Sequence, residues 1–208
     1  MKRYLILVTL IVSTISVATA QMEVGVRGGF LTSSRSFKPD RKSSNVANAN
    51  YGLVFTCFGQ KYLGVQIEAA LTQRGGKYMV GDSAYKLTQQ MVELPIMSQA
   101  RISYKGVSLL LNVGPYFGYV LNQTEEITYQ GVTTTTDIKF IKTYDRRFQY
   151  GLTGGPGVNV HLGPIAVQGE VRYYYGLSHL YNPAADIAPA ESQETGLGVF
   201  VGIMYRFK

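Results

Sequence analysis

From Ile165 to Ser178 the chain reads IAVQGEVRYYYGLS, with Gln168, Glu170 and Arg172 on one side of an extended backbone. Ile165, Val167, Val171, Tyr173, Tyr175 and Leu177 fall on the other. Alternation with period two marks a β-strand with one apolar and one polar face. The same period recurs in eight stretches, roughly 22–32, 51–58, 63–73, 86–102, 107–121, 148–162, 165–178 and 195–207. Pro95, Pro115 and Pro156 fall inside three of them. Proline removes a ladder donor, so bulges or local breaks are expected there.

Charge is sorted by face. The apolar faces carry one charge, Lys86, at a strand end, whereas the opposite faces collect Glu23, Arg27, Glu68, Glu93, Arg101, Glu170, Arg172 and Arg206. Most strand glycines keep company with the charges, and only Gly28, Gly154 and Gly169 sit on the apolar side. A water-facing exterior has no reason to crowd glycine, but the interior of a narrow, coiled barrel of about eight strands does. The charged face is therefore expected inside, as a lumen charge lattice, with the tyrosines facing hydrocarbon. The expected fold is all-β: an eight-stranded antiparallel up-and-down transmembrane β-barrel.

The connections point the same way. Tight links at Gly59–Tyr62, Ser103–Gly106 and Gly163-Pro164 alternate with long polar ones at 33–50, 74–85, 122–147 and 179–194. Short periplasmic turns and long extracellular loops are the pattern of bacterial outer-membrane barrels. In hydrocarbon every unpaired backbone group costs several kcal/mol, so the first and last strands must meet. Glu23 and Arg206 are then expected to form an ion pair near the periplasmic end, because buried charges are costly unless paired. Of two adjacent substitutions that test orientation, Val171→Arg is expected to be the more harmful and Arg172→Val the milder.

The chain opens MKRYLILVTLIVSTISVATAQ, with basic Lys2 and Arg3, an apolar run and Ala18-Thr19-Ala20. That is the pattern of a cleaved secretory signal peptide over 1–20, leaving residues 21–208 as one outer-membrane barrel domain. The formal net charge of +7 falls to +5 once Lys2 and Arg3 leave with the leader, too modest a balance to suggest nucleic acid as a partner. The lone Cys57 excludes an internal disulfide framework and a cysteine zinc site.

Several stretches resemble the PorT-like outer-membrane β-barrel proteins of Bacteroidetes. They are VGVRGGFLTS in the first strand, LGVQIEAALTQRGGKY (63–78), VELPIMSQA (92–100), LLLNVGPYFGYVL (109–121), YGLTGGPGVNVHLGPIAVQGEVRYYYGLSHLYN (150–182) and ETGLGVFVGIMYRF (194–207). The resemblance covers nearly all of the mature chain. It implies an eight-stranded outer-membrane barrel and, through the founding member, a link to secretion of surface proteins. One departure is the end, where Lys208 follows the aromatic Phe207 that such barrels usually finish on.

None of these motifs carries catalysis. His161 and His179 are far apart with no acidic cluster beside them, so no metal or cofactor is expected. Ser178, His179 and Asp186 near the outer rim are the material for a rim-type outer-membrane enzyme, but serine and aspartate are ordinary loop formers, and no catalytic residue is assigned. Function is expected in the loops. The first carries Arg35, Lys38, Arg41 and Lys42 against Asp40, a basic extracellular tip suited to lipopolysaccharide phosphates or an acidic envelope protein. The last, with Asp186, Glu191 and Glu194, has the opposite sign. The expected role is structural or interactive, displaying loops and accessory to secretion or envelope assembly, and not enzymatic. A narrow solute channel is the alternative.

Overall fold

The computed structural model describes residues 21–38, 46–80, 83–129, 132–137, 147–178 and 191–207. The leader over 1–20, Arg41, Lys42, His179 and Asp186 lie outside the described residues. Nine strands follow: β1 (Gln21–Lys38), β2 (Val46–Phe58), β3 (Leu63–Val80), β4 (Ser83–Tyr104), β5 (Val107–Tyr129), β6 (Val132–Asp137), β7 (Phe148–Leu162), β8 (Ile165–Gly176) and β9 (Glu191–Phe207). Eight of them form a closed antiparallel ring, β4-β3-β2-β1-β9-β8-β7-β5, completed by pairing of β4 with β5. The short β6 stands outside the ring, hairpinned to the far end of β5 from Tyr129↔Val132 to Thr124↔Asp137. Among the described residues no helix is long and apolar enough to cross a membrane.

Closure runs along β1 and β9 from Met22↔Phe207 to Lys38↔Glu191. Every barrel strand is thus paired on both sides, as an apolar solvent demands. Burial is inverted relative to a soluble protein. Val26, Leu53, Leu109, Val113, Leu197, Val201 and Ile203 are exposed on the outer surface, while Glu23, Glu68, Glu93, Arg74 and Arg172 are buried inside. Aromatic rings gather outside near both ends of the strands. Phe117 stacks on Phe148 at 6.3 Å at one end, and Tyr205 meets Phe207 edge-on at 5.2 Å at the other. These are the girdles expected at the two interfaces of a bilayer.

The wall closes tightly where strands coil. A Cβ on Gly155 would lie 1.9 Å from the Val171 carbonyl oxygen, and one on Gly29 would lie 2.1 Å from that of Val199. Only glycine fits there, whereas the outward-facing Gly169 has nothing within 4 Å of a would-be Cβ. Two of the short turns are two-residue hairpins. Lys105 (φ 45°) and Gly106 (φ 84°) both have positive φ, the type I′ pattern. Asparagine, aspartate or glycine normally occupies such positions, and a lysine held there costs about 1–2 kcal/mol. Gly163 (φ 70°) precedes Pro164, whose ring fixes a negative φ, the type II′ pattern.

The prolines interrupt the ladders without shifting them. Pro95 keeps its register partner Tyr116 in β5, while pairing with β3 lapses between Ile67↔Ile96 and Ala70↔Glu93. Pro115 keeps Leu152, and Pro156 keeps Leu111, each with a matching lapse on its other side. Each proline spends its missing N–H on one neighbour only. The register shift in these ladders falls elsewhere, between Gln90 and Met91 in β4.

The long connections are shorter than the alternation implies. Strand pairing continues past 32 in β1 and past 73 in β3, and β4 begins at Ser83, so most of the expected loop at 74–85 is a β-hairpin. Likewise β5 runs to Tyr129 and β6 fills part of 122–147. Beyond the bilayer both faces of a strand meet water, so the apolar–polar signature fades while backbone pairing goes on. Arg35 and Lys38 of the basic tip fall within β1, in register with Glu194 and Glu191 of β9.

Candidate functional site: the charge-paired lumen

Residues two apart on a strand share a face, so the interior is a set of stacked polar layers. Nearest the short turns, Glu23 accepts Arg101 Nη1 at 3.1 Å and Arg206 Nε at 3.3 Å. Arg101 also donates to Gln21 Oε1 at 2.6 Å and lies 3.6 Å over the Phe58 ring. Arg206 Nη2 is hydrogen-bonded to His161 Nδ1. Arginine can only donate, so Nδ1 accepts and the ring proton sits on Nε2. That Nε2 is 3.0 Å from Ser108 Oγ, which in turn is 2.7 Å from Ser103 Oγ. In this arrangement His161 donates to the serine.

Above this lies an amide layer, where Gln99 Nε2 donates to Gln66 Oε1 at 2.5 Å and Gln66 Nε2 to Glu68 Oε1 at 2.6 Å. The central layer is a double ion pair. Arg172 holds Glu68 with two parallel bonds, Nη1 to Oε2 at 2.8 Å and Nη2 to Oε1 at 2.5 Å, and also pairs with Glu170. Two-pronged arginine–carboxylate contacts combine strength with fixed geometry. Asn112 Nδ2 supplies a further bond to Glu170 at 2.8 Å. Arg27 Nε lies 2.8 Å from Glu68 Oε2, with its guanidinium 4.3 Å from the Phe200 ring centre. A cavity of about 10 Å³ beside it, lined by Arg27, Val54, Gln168, Glu170, Phe200, Gly202 and Met204, has room for about one water.

The layer toward the long loops is a plug. Arg74 pairs with Glu93, donates to Glu194 Oε1 at 3.2 Å and to the Tyr116 hydroxyl at 3.3 Å. Its guanidinium lies 4.8 Å from the ring centres of both Tyr116 and Tyr174. Tyr116 meets Tyr174 edge-on at 5.5 Å, and Tyr174 meets Phe200 at 6.4 Å. With Leu31, these rings form one buried cluster, each at most 2% exposed. Higher still, Ser33 Oγ accepts the Gly75 N–H at 3.0 Å and donates to its carbonyl at 2.8 Å, tying β1 to β3 across the interior.

All eight residues that the alternation groups inside face the lumen; Arg206, at the rim, keeps a side chain 24% exposed and the others are buried. Two further charged lumen residues, Arg74 and Glu194, fall in stretches that the alternation reads as loops. Parity carries both: Glu68, Ala70, Thr72 and Arg74 are spaced by two in β3, as Glu194 is from Gly196 and Gly198 in β9. The charges balance over the lumen as a whole, five glutamates against five arginines, but not within each layer. One glutamate faces two arginines near the short turns, two face two in the centre, and two face Arg74 near the loops.

The outer rim offers little chemistry among the described residues. Ser178 Oγ accepts the Tyr150 N–H at 3.1 Å and its own N–H donates to the Tyr150 carbonyl, so the hydroxyl closes the end of β8 onto β7. Lys86 pairs with Glu126 at 3.1 Å where both are half exposed. The basic tip is not assembled within the described residues, since the side chains of Arg35 and Lys38, like Arg41 and Lys42 entirely, lie outside them.

A closed barrel of eight tilted strands, apolar outside and ionised within, defines a membrane-spanning outer-membrane protein. The chain matches the family described as outer membrane protein beta-barrel domain over residues 18–182, and it belongs to that family. No curated protein matches it. Among solved structures it is similar to Neisserial surface protein A, at 12% identity and a TM-score of 0.48, covering 91% of this chain and 99% of that one. It is also similar to Ail, the attachment invasion locus protein of Yersinia pestis, at 15% identity and a TM-score of 0.45, covering 89% and 99%. A third, AlkL in lipid bilayers, has 12% identity and a TM-score of 0.45, covering 91% of each chain.

Proposed function

We propose that this outer-membrane barrel is a sealed, non-enzymatic pedestal that displays its extracellular hairpins and loops to partners of the cell envelope. The observation that carries this reading is the plug of Arg74, Glu93, Tyr116, Tyr174 and Phe200, buried side chains from β3, β4, β5, β8 and β9 that meet one another inside the lumen. A solute channel would need an open path through it. Continuation of the β3–β4 hairpin to Val80 and Ser83, with β6 beside β5, supports a structured display surface beyond the bilayer. The basic tip of Arg35, Lys38, Arg41 and Lys42 suits lipopolysaccharide phosphates or an acidic envelope protein. Residue patterns shared with PorT-like proteins of Bacteroidetes favour a role accessory to secretion or envelope assembly, after export by a cleaved leader.

Two measurements test the proposal. Purified barrel in planar bilayers is expected to stay at baseline conductance; discrete open steps would favour the channel. Mild crosslinking of intact cells is expected to capture an envelope protein, and shortening the 39–45 connection between β1 and β2 to abolish that capture while the barrel still folds. Capture unchanged by every loop deletion would remove the display role.

A further inference from the structure

The end of the barrel that carries the short turns has an uneven charge. Lys61 in the β2–β3 turn and Lys105 in the β4–β5 turn are exposed, whereas the Gly163-Pro164 turn carries no charge. The carboxylate at this end among the described residues, Glu23, is 1% exposed and already held by Arg101 and Arg206. The two lysines share a local design. Lys61 Nζ lies 5.2 Å from the Tyr62 ring centre, and Lys105 Nζ lies 5.2 Å from that of Tyr104. Both tyrosines are on the outer wall, 54% and 72% exposed, where the apolar band ends. The Arg101 N–H donates to the Tyr62 carbonyl at 2.8 Å, which holds the β2–β3 turn against β4, so the two lysines stand on neighbouring hairpins. Lys105 also stands out by its backbone, as the one non-glycine residue with positive φ among those described. A strained position kept by a residue ill suited to it is a reason to look for a task.

We propose that Lys61 and Lys105, each seated on its tyrosine, form a two-part cradle for the phosphate of an anionic phospholipid in the periplasmic leaflet. The tyrosine rings lie at headgroup depth and hold the ammonium groups toward the phosphate plane. The apolar wall above, Leu63, Ile102 and Val107, takes the acyl chains. The buried state of Glu23 leaves this side of the rim without an exposed carboxylate to repel the lipid. The Gly163-Pro164 turn, on the other flank of the β4–β5 turn, adds no charge of its own, and nearby Arg206 is turned to Glu23, so the two lysines set the side of the rim on which the lipid is held.

The test uses the full mature chain folded in nanodiscs of phosphatidylcholine with a minor fraction of phosphatidylglycerol, and native mass spectrometry of the lipid retained on release. The wild type is expected to retain phosphatidylglycerol in excess of its share. Lys61→Gln and Lys105→Gln should each lower that retention about fivefold, the effect of one basic residue at an anionic surface. Lys105→Asn separates binding from folding, because it suits the turn better. It is expected to unfold at the same or a higher temperature in zwitterionic lipid while losing the retained phosphatidylglycerol. Retention unchanged in Lys105→Asn and in the double glutamine variant, or no enrichment in the wild type, overturns the proposal.

Discussion

Arg74 of β3 and Glu194 of β9 meet inside the barrel at 3.2 Å although 120 residues separate them along the chain. Neither strand pairs with the other; β1 and β2 lie between them in the ring. The bond therefore spans the lumen, and together with Glu93 and the two tyrosines it makes the plug a cross-brace. Removing Arg74 takes the paired guanidinium from buried Glu93 and one bond from Glu194.

Arg74→Met is expected to lower the free energy of unfolding by about 3–5 kcal/mol, the usual consequence of leaving a buried charge without its partner. The triple variant Arg74→Met, Glu93→Gln and Glu194→Gln should recover most of that loss, because amides do not need a counter-charge. Urea unfolding in lipid vesicles, followed by heat-modifiable gel mobility, gives both numbers. A harmless single variant would mean the plug is wet enough to solvate its glutamates.

Orientation is tested at Val171 and Arg172. Val171 is 41% exposed on the outer wall, so Val171→Arg places a charge in hydrocarbon at about 2–4 kcal/mol near the midplane. The alternation alone makes Arg172→Val the milder change. The structure reverses that order, since Arg172 is shared by Glu68 and Glu170 and its loss leaves them only Arg27, at about 3–5 kcal/mol. The folded fraction in vesicles should therefore be lower for Arg172→Val, and Arg172→Val with Glu170→Gln should restore part of it.

A pair of glycines tests the coiled wall. Gly155→Ala drives a methyl to 1.9 Å from the Val171 carbonyl, in the backbone of the neighbouring strand, and is expected to block assembly of the barrel. Gly169→Ala, on the adjacent strand with nothing within 4 Å, is expected to assemble like the wild type. Immunodetection of heat-modifiable barrel in outer-membrane fractions compares them directly. Equal yields would show that β7 and β8 can separate enough to admit the methyl.

The eight-strand ring and its inversion are legible because hydrocarbon imposes one rule on every spanning strand. Side chains outside must be apolar, and charges can survive only within. Glu23 and Arg206 could be placed together from strand order and parity alone, since closure forces β1 onto β9, whereas Arg101 reaches Glu23 from β4 across the lumen. Arg74 and Glu194 were harder, although their parity was right, because alternation weakens where both faces of a strand are wet. The Gln90/Met91 bulge has no local mark, neither proline nor glycine, and follows from how β4 fits β5. The tautomer of His161 was also hidden, since it is set by Arg206, a residue of another strand.

The seam between β1 and β9 joins strands made far apart in time; Glu23 and Arg206 are 183 residues apart. Until β9 emerges, every shorter piece has two raw margins that seek any strand they meet. Transit to the outer membrane must therefore happen in an unfinished form, shielded from its neighbours by escorts. Loss of residues 197–207 would leave the cylinder slit from Met22 to Thr32.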